Sequence, residues 1–259
     1  MLTVGSLFTG IGGFDLGLER AGMRVLWQCE SDDYCRRVLA HHWPNVPCYD
    51  DVRQLRGTGR QVEPVDVLCG GFPCQDLSVA GKGAGIDGAR SGLWSEYARL
   101  IGELRPRYVI VENVSALLGR GLGRVLGDLS EVGYDAEWDC LPACAFGAPH
   151  QRDRVWLVAY PGGDDGVADP DSSRPAHLRE GEARRRVVSS RPGMGATAGG
   201  SGEPGWSTSE WWATEPDVGR VAHGVPARVD RLRSLGTALV PQIAEWIGQR
   251  IVTWEHGQW

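Results

Sequence analysis

The feature that most constrains this chain is a repeated rhythm: a short apolar run, a turn, then a stretch with helical periodicity. Residues 2–8 are largely apolar and end in Thr9-Gly10-Ile11-Gly12-Gly13, after which Phe14, Leu18 and Ala21 fall on one helical face. Residues 24–29 read as a second strand closed by Glu30, and 33–41 as the next helix. A third strand, 65–69, precedes a long loop from Gly70 to Ser91, and a helix over 93–104 stops before Pro106. Residues 108–111 form a strand that runs into Glu112-Asn113-Val114; a helix over 122–132 and strands over 134–141 and 155–159 follow. Strands alternating with helices of this size predict an α/β fold, an open and mostly parallel sheet with helices on both faces. A chain of 259 residues accommodates one such Rossmann-like domain and a small lobe.

The character changes after Tyr160. Residues 162–204 are rich in Gly, Pro, Ser, Asp and Arg and carry little periodicity, so they read as a small irregular lobe. Helical patterning returns at 229–235 and 240–252, split by Gly236-Thr237-Ala238, and the last helix is expected to pack back, burying Leu239, Ile243 and Ile247. The expected division is 1–160, 161–225 and 226–259. Formal net charge is −6, which argues against a nucleic-acid coat or a polybasic membrane binder. Against that background, residues 172–199 hold six arginines, among them Arg174, Arg184, Arg185, Arg186 and Arg191, and only two glutamates. Such a stretch is either a solvated linker or a phosphate-contacting surface. The seven cysteines are odd in number and follow no secretory leader, and no run reaches the roughly 18 apolar residues of a membrane span. A reduced, cytoplasmic protein is expected. The Cys69/Cys74 and Cys140/Cys144 spacings do not form zinc knuckles, so no metal is expected.

Three constellations carry chemistry. The glycine turn brings backbone N–H groups close to a bound nucleotide, with Glu30 placed where a ribose hydroxyl pair would lie, although the turn departs from G-x-G-x-x-G. The segment Gly70-Gly71-Phe72-Pro73-Cys74-Gln75-Asp76-Leu77-Ser78 follows a buried strand, where open sheets place sites, and its glycines and proline present Cys74 in a loop as a candidate nucleophile. Glu112 ends an apolar run, where a carboxylate is expensive unless paired or protonated; it is expected to share the crevice with Cys74 and to meet a ring nitrogen. Asn113 is read as tying the turn through its side chain. Arg152 and Arg154 alternate before a strand, so both are expected to face one way.

These elements together resemble the DNA (cytosine-5) methyltransferase family, compact phage-like or restriction-modification type, over most of the chain. They stand in the family's order: Phe-x-Gly-x-Gly-Gly from Phe8 to Gly13, Pro73-Cys74-Gln75, Glu112-Asn113-Val114, Gln151-Arg152-Asp153-Arg154, and a final Gly-x-x-x-x-Pro element. The resemblance implies S-adenosylmethionine as donor, S-adenosylhomocysteine as product, and double-stranded DNA as partner, in a restriction or phage context, with no membrane and a monomeric enzyme. It implies Cys74 as nucleophile, Glu112 as the partner of the cytosine ring, and Arg152 and Arg154 holding the flipped nucleotide and catalytic loop. Phe8, Gly10, Ile11, Gly12, Gly13, Asp51, Val52, Leu93 and Thr237 would line the donor pocket, with Glu30 on the ribose. Pro73, Gln75 and Asn113 would border the base, Ser78 and Lys82 would reach phosphates, and the glycine-rich 80–91 loop would close over the site. Residues 161–225 would recognise the target.

Two positions depart from the pattern. His150 stands where glutamine is usual, and Thr237 where asparagine is typical. Threonine lacks the amide donors, which leaves open weakened activity, a donor modified on its methyl group, or a DNA-binding homologue without turnover. An RNA (tRNA) cytosine-5 methyltransferase shares the Pro-Cys and Glu-Asn-Val elements and is the nearest alternative.

Overall fold

The computed structural model describes residues 1–73, 92–148, 150–162 and 228–257. Seven strands form one sheet: β1 (Thr3–Leu7), β2 (Arg24–Cys29), β3 (Cys48–Tyr49), β4 (Val67–Gly70), β5 (Tyr108–Val114), β6 (Tyr134–Pro142) and β7 (Asp153–Pro161). Their order is β3-β2-β1-β4-β5-β7-β6. The first five run parallel, and β7 enters antiparallel between β5 and β6. The expected α/β fold with a mostly parallel sheet is therefore present. Chain order reverses between β1 and β4, and in open sheets the crevice outside the strand carboxyl ends at that reversal is where ligands bind.

Period-two alternation divides the core between the two faces. Leu68, Val109 and Val111 point into a cluster with Trp94, Tyr97, Leu100 and Ile101 of α3 (Leu93–Leu104) and Val125 and Leu129 of α5 (Leu122–Glu131). Val67, Cys69 and Ile110 point the other way, towards Phe14 and Leu18 of α1 (Gly13–Arg20) and Ile243, Ile247 and Ile251 of α7 (Pro241–Glu255). Burying each of those α7 isoleucines contributes roughly 1.5–3 kcal/mol. The approach of α7 is close: a Cβ on Gly17 would lie 2.4 Å from the Pro241 carbonyl oxygen, so only glycine fits there. Two further helices complete this part of the chain, α2 (Asp33–His42) and the short α4 (Leu117–Arg120), and α6 (Arg228–Thr237) precedes α7. No described helix is long and apolar enough to cross a membrane.

Candidate active site

The carboxyl ends of β4 and β5 lie side by side, with Gly70 in register with Val111. Beyond β4 the chain is anchored by Phe72, which is buried against Trp94 with ring centroids 5.2 Å apart. Asn113 fastens the same point from β5: its Nδ2 donates to the Phe72 carbonyl at 3.1 Å, and its Oδ1 accepts from the Val114 N–H. Pro73 follows directly and is the last described residue of this segment.

Glu112 faces this junction. A Cβ on Gly71 would lie 2.9 Å from its Oε2, so a glycine is what lets the carboxyl and the β4 loop approach. Glu112 lies opposite Trp156 of β7, and Val114 opposite Arg154, which makes Arg154 the diagonal neighbour of Glu112 on one face. Arg154 Nε stands 3.1 Å from Glu112 Oε1. Burial dominates nonetheless and pushes the Glu112 carboxyl up to about 7, with Arg154 and then Arg152 pulling it down.

The two arginines have different bonding partners, although both act on the Glu112 carboxyl. Arg152 precedes β7 with φ 33, a left-handed conformation that ends the strand alternation before it. Its guanidinium donates to the carbonyls of Gly236 at 3.0 Å and Ala238 at 2.6 Å.

The glycine turn lies across the reversal point. Phe8 has φ 52 and Gly10 φ 58, and nothing comes within 4 Å of a Cβ built on Gly10, so the turn leaves an open cradle there. Glu30 closes the cradle: Oε2 accepts the Gly10 N–H at 2.7 Å and Oε1 the Asp32 N–H at 2.8 Å. Phe8, Leu93 and buried Val52 belong to one apolar cluster, bringing three separated parts of the chain together. Asp51 accepts the Arg53 N–H within its own turn. Gly13 is met by Leu239, whose Cγ would lie 2.9 Å from an added Cβ. Thr237 turns back on its helix, with Oγ1 at 3.2 Å from the carbonyls of Arg233 and Ser234. An open glycine cradle, a backbone-oriented carboxylate and an apolar rim fit a nucleoside with a ribose diol.

Sequence reasoning missed three supports. Arg99 of α3 donates to the carbonyls of Val52 and Leu55 while paired with Glu96 and Glu103, holding the 51–55 turn; its i,i+3 and i,i+4 partners were the available signal. Ser6 and Gln28 donate to Asp15 beneath the glycine turn, all three fully buried. Burial raises Asp15 to about 6. Leu239 was read only as a core residue. Cys74, Gln75, Ser78, Lys82, the 80–91 loop and the arginine-rich stretch lie outside the described residues. Burial pushes up the thiols of Cys29, Cys35, Cys48 and Cys69, so these are inert small hydrophobes. Among the described residues no cluster of three or more His, Cys, Asp or Glu is placed to hold a metal.

An α/β sheet with a glycine cradle at the reversal point, and a buried carboxyl paired to arginine two strands away, is an arrangement that fits a nucleoside-binding α/β domain. Residues 2–189 match the family described as C-5 cytosine-specific DNA methylase, and the chain belongs to it. It is 37% identical over 184 residues to the Type II methyltransferase M2.BsuMI of Bacillus subtilis, covering 67% of this chain and 46% of that protein. It is 31% identical over 158 residues to the Type II methyltransferase M.HhaI of Haemophilus parahaemolyticus, covering 60% and 47%. The chain thus spans about half the length of these relatives. Among solved structures it is similar to a protein described as a prophage-encoded DNA modification methyltransferase of E. coli. The TM-score is 0.54 and the identity 28%, over 62% of this chain and 47% of the other.

Proposed function

We propose that the protein transfers a methyl group from S-adenosylmethionine to carbon 5 of a cytosine in double-stranded DNA, through a covalent bond to Cys74. The observation that carries this reading is the Glu112–Arg154 pair beside the Phe72-Pro73 anchor, one residue before Cys74, in a chain of the cytosine-5 family. Duplex DNA hides the reacting atoms, so the base must leave the stack to reach the pair. The bound donor supplies an electrophilic sulfonium methyl, held by the 8–13 turn, Glu30, the 51–52 turn and Leu93.

The work of the chain follows from its own groups. The Cys74 thiolate adds to ring carbon 6, forming an S–C bond and moving the ring's electron pair towards carbon 5. Glu112, set near neutrality, gives or holds a proton at ring nitrogen 3, which absorbs the charge of that addition. Arg154 orients the carboxyl. Carbon 5 would then take the methyl, the S–CH3 bond electrons staying on the sulfur of S-adenosylhomocysteine; loss of the carbon 5 proton to water would restore the 5,6 double bond and expel the Cys74 thiolate. Asn113 and Gly71 act as supports that keep the loop and the carboxyl in register.

We assign residues 1–160 to the catalytic and donor-binding unit, 161–225 to target recognition through the arginine-rich stretch, and 226–259 to helices that back the donor wall. A restriction-modification or phage setting, in the cytoplasm of a host cell, accords with the relatives. Incubating the purified full chain with labelled S-adenosylmethionine and either duplex DNA or RNA tests the reading. Mass analysis should find 5-methylcytosine in the duplex alone; label in RNA alone, or on adenine, would overturn it.

A further inference from the structure

We propose that Arg152 is a positioning residue for the methyl donor: its guanidinium clasps the turn that ends α6 and so holds Leu239 against the glycine turn. This rests on the functional reading above and assigns Arg152 to the donor wall, while Arg154 serves the reacting end. Arg152 is the last residue before β7 and adopts φ 33, a backbone conformation unfavourable for an arginine unless its surroundings impose it. What surrounds it is a set of charged hydrogen bonds. Nη1 and Nη2 both stand 3.0 Å from the Gly236 carbonyl, and Nη2 stands 2.6 Å from that of Ala238. Helix ends leave such carbonyls without intrahelical partners, and a cation there complements the helix dipole.

The clasped turn reaches the donor wall within one residue. Leu239 packs on Gly13, at the start of α1, with its carbonyl oxygen 3.3 Å and its Cγ 2.9 Å from where a Cβ would stand. Further on, the Pro241 carbonyl lies against Gly17. The segment 236–241 is therefore held by Arg152 on one side and by α1 on the other. The Thr237 hydroxyl serves carbonyls of its own helix. The rest of α6 is tied to the start of α2: Arg233 Nη1 stands 3.5 Å from Oδ2 of Asp32, which caps that helix, and Ser234 contacts Cys35 in its first turn. The N–H of that same Asp32 is held by Glu30. Loosening the clasp frees Leu239 from one side of the glycine turn; the Glu112–Arg154 ion pair stays in place, and Glu112 loses only the weaker of its two cationic influences.

The test compares Arg152→Gln, Arg152→Lys and Arg154→Gln in the full chain. The readouts are equilibrium binding of S-adenosylhomocysteine, hydrogen exchange of the 236–240 amides, and donor KM against kcat. Arg152→Gln is expected to weaken binding about 10-fold, the size of one lost charged hydrogen bond. It should also speed exchange of those amides and raise KM more than it lowers kcat. Lysine should recover part of the binding, and Arg154→Gln should leave it unchanged while kcat falls. Should Arg152→Gln not fold, Leu239→Ala breaks the other end of the clasp and must weaken binding in the same direction. Wild-type binding and exchange in Arg152→Gln, or a loss confined to kcat, would overturn the assignment. If the wild-type chain binds no S-adenosylhomocysteine, the functional reading fails as a whole. Accelerated exchange in Arg152→Gln would then leave a clasp with no donor to position, and the proposal falls with the reading.

Discussion

Glu30 and Glu112 occupy comparable places, Glu30 just past the end of β2 and Glu112 among the last residues of β5, both towards the carboxyl ends of the parallel strands, yet their surroundings differ in kind. Both oxygens of Glu30 accept backbone N–H groups, from Gly10 and from Asp32, so the carboxylate is fixed in direction and offers only its remaining lone pairs. Glu112 is ion-paired with the Arg154 guanidinium, is pulled down more weakly by Arg152, and is otherwise desolvated, which places its carboxyl at about 7. A carboxylate held by peptide dipoles is a rigid acceptor suited to a neutral diol. A desolvated carboxyl with one cationic partner exchanges a proton near neutral pH. On the proposed function, the same residue type would bind the donor at one place and handle a proton at another.

The largest effect that separates them is expected at Glu112. Glu112→Gln should lower turnover at least about 100-fold, in the range of acid–base groups, while leaving donor binding intact. Steady-state rates and donor titration check both halves. The pH dependence has a definite sign. The protonated carboxyl is the active form, so the rate should fall as pH rises through about 7. Removing the cation that pulls the carboxyl down, as in Arg154→Gln, should move that fall to higher pH. Because the folded carboxyl sits above its unfolded value, folding takes up a proton between those values, and stability should decline as pH rises from about 4.5 to about 7. Denaturant titrations should show that decline reduced in Glu112→Gln.

Glu30→Gln should act on the other half. Its amide presents hydrogens where one of two backbone N–H groups expects an acceptor, so donor affinity should weaken about 10-fold with a smaller change in kcat. Equal losses in both constants would erase the distinction between the two glutamates. Gly71→Ala sharpens the contrast from the protein side. Its Cβ would stand 2.9 Å from Glu112 Oε2, so the carboxyl must move and turnover should drop several-fold with donor binding unchanged. The smallest effect on turnover is expected at Asp15. Asp15→Asn keeps acceptors and donors for Gln28 and Ser6 and removes a buried carboxyl raised to about 6. Wild-type stability should fall as pH rises from about 4 through about 6, by of order 2 kcal/mol, and the asparagine variant should lose that dependence.

Much of this arrangement was legible in the chain. Strands β1, β2, β4 and β5 show as apolar runs because parallel strands are buried on both faces, and the glycine turn and Glu112 mark where two of them end. β3 escaped because two residues carry no periodicity, and α4 because four residues make barely one turn. The antiparallel entry of β7 could not be read from local pattern, yet it alone brings Arg154 diagonal to Glu112. The contacts of Arg152 could not be read from alternation, because it stands before β7 with a positive φ. The role of Leu239 depends on a contact with Gly13 across 226 positions of sequence, which no window of neighbours contains. Chemistry-bearing residue types announced themselves; the residues that hold them in place are ordinary backbone and arginine contacts that only the fold assembles.

The most direct measurement of the central claim is covalent trapping. Full-length protein is incubated with S-adenosylmethionine and duplex DNA carrying 5-fluorocytosine at the modified position, where fluorine blocks the final loss from carbon 5. The wild-type chain and Glu112→Gln are each compared with Cys74→Ser by denaturing electrophoresis and peptide mass mapping. The account predicts a denaturation-resistant complex through Cys74 in wild type, a slower one in Glu112→Gln and none in Cys74→Ser. A complex of equal yield in Cys74→Ser, or one mapped to any other cysteine, would contradict it.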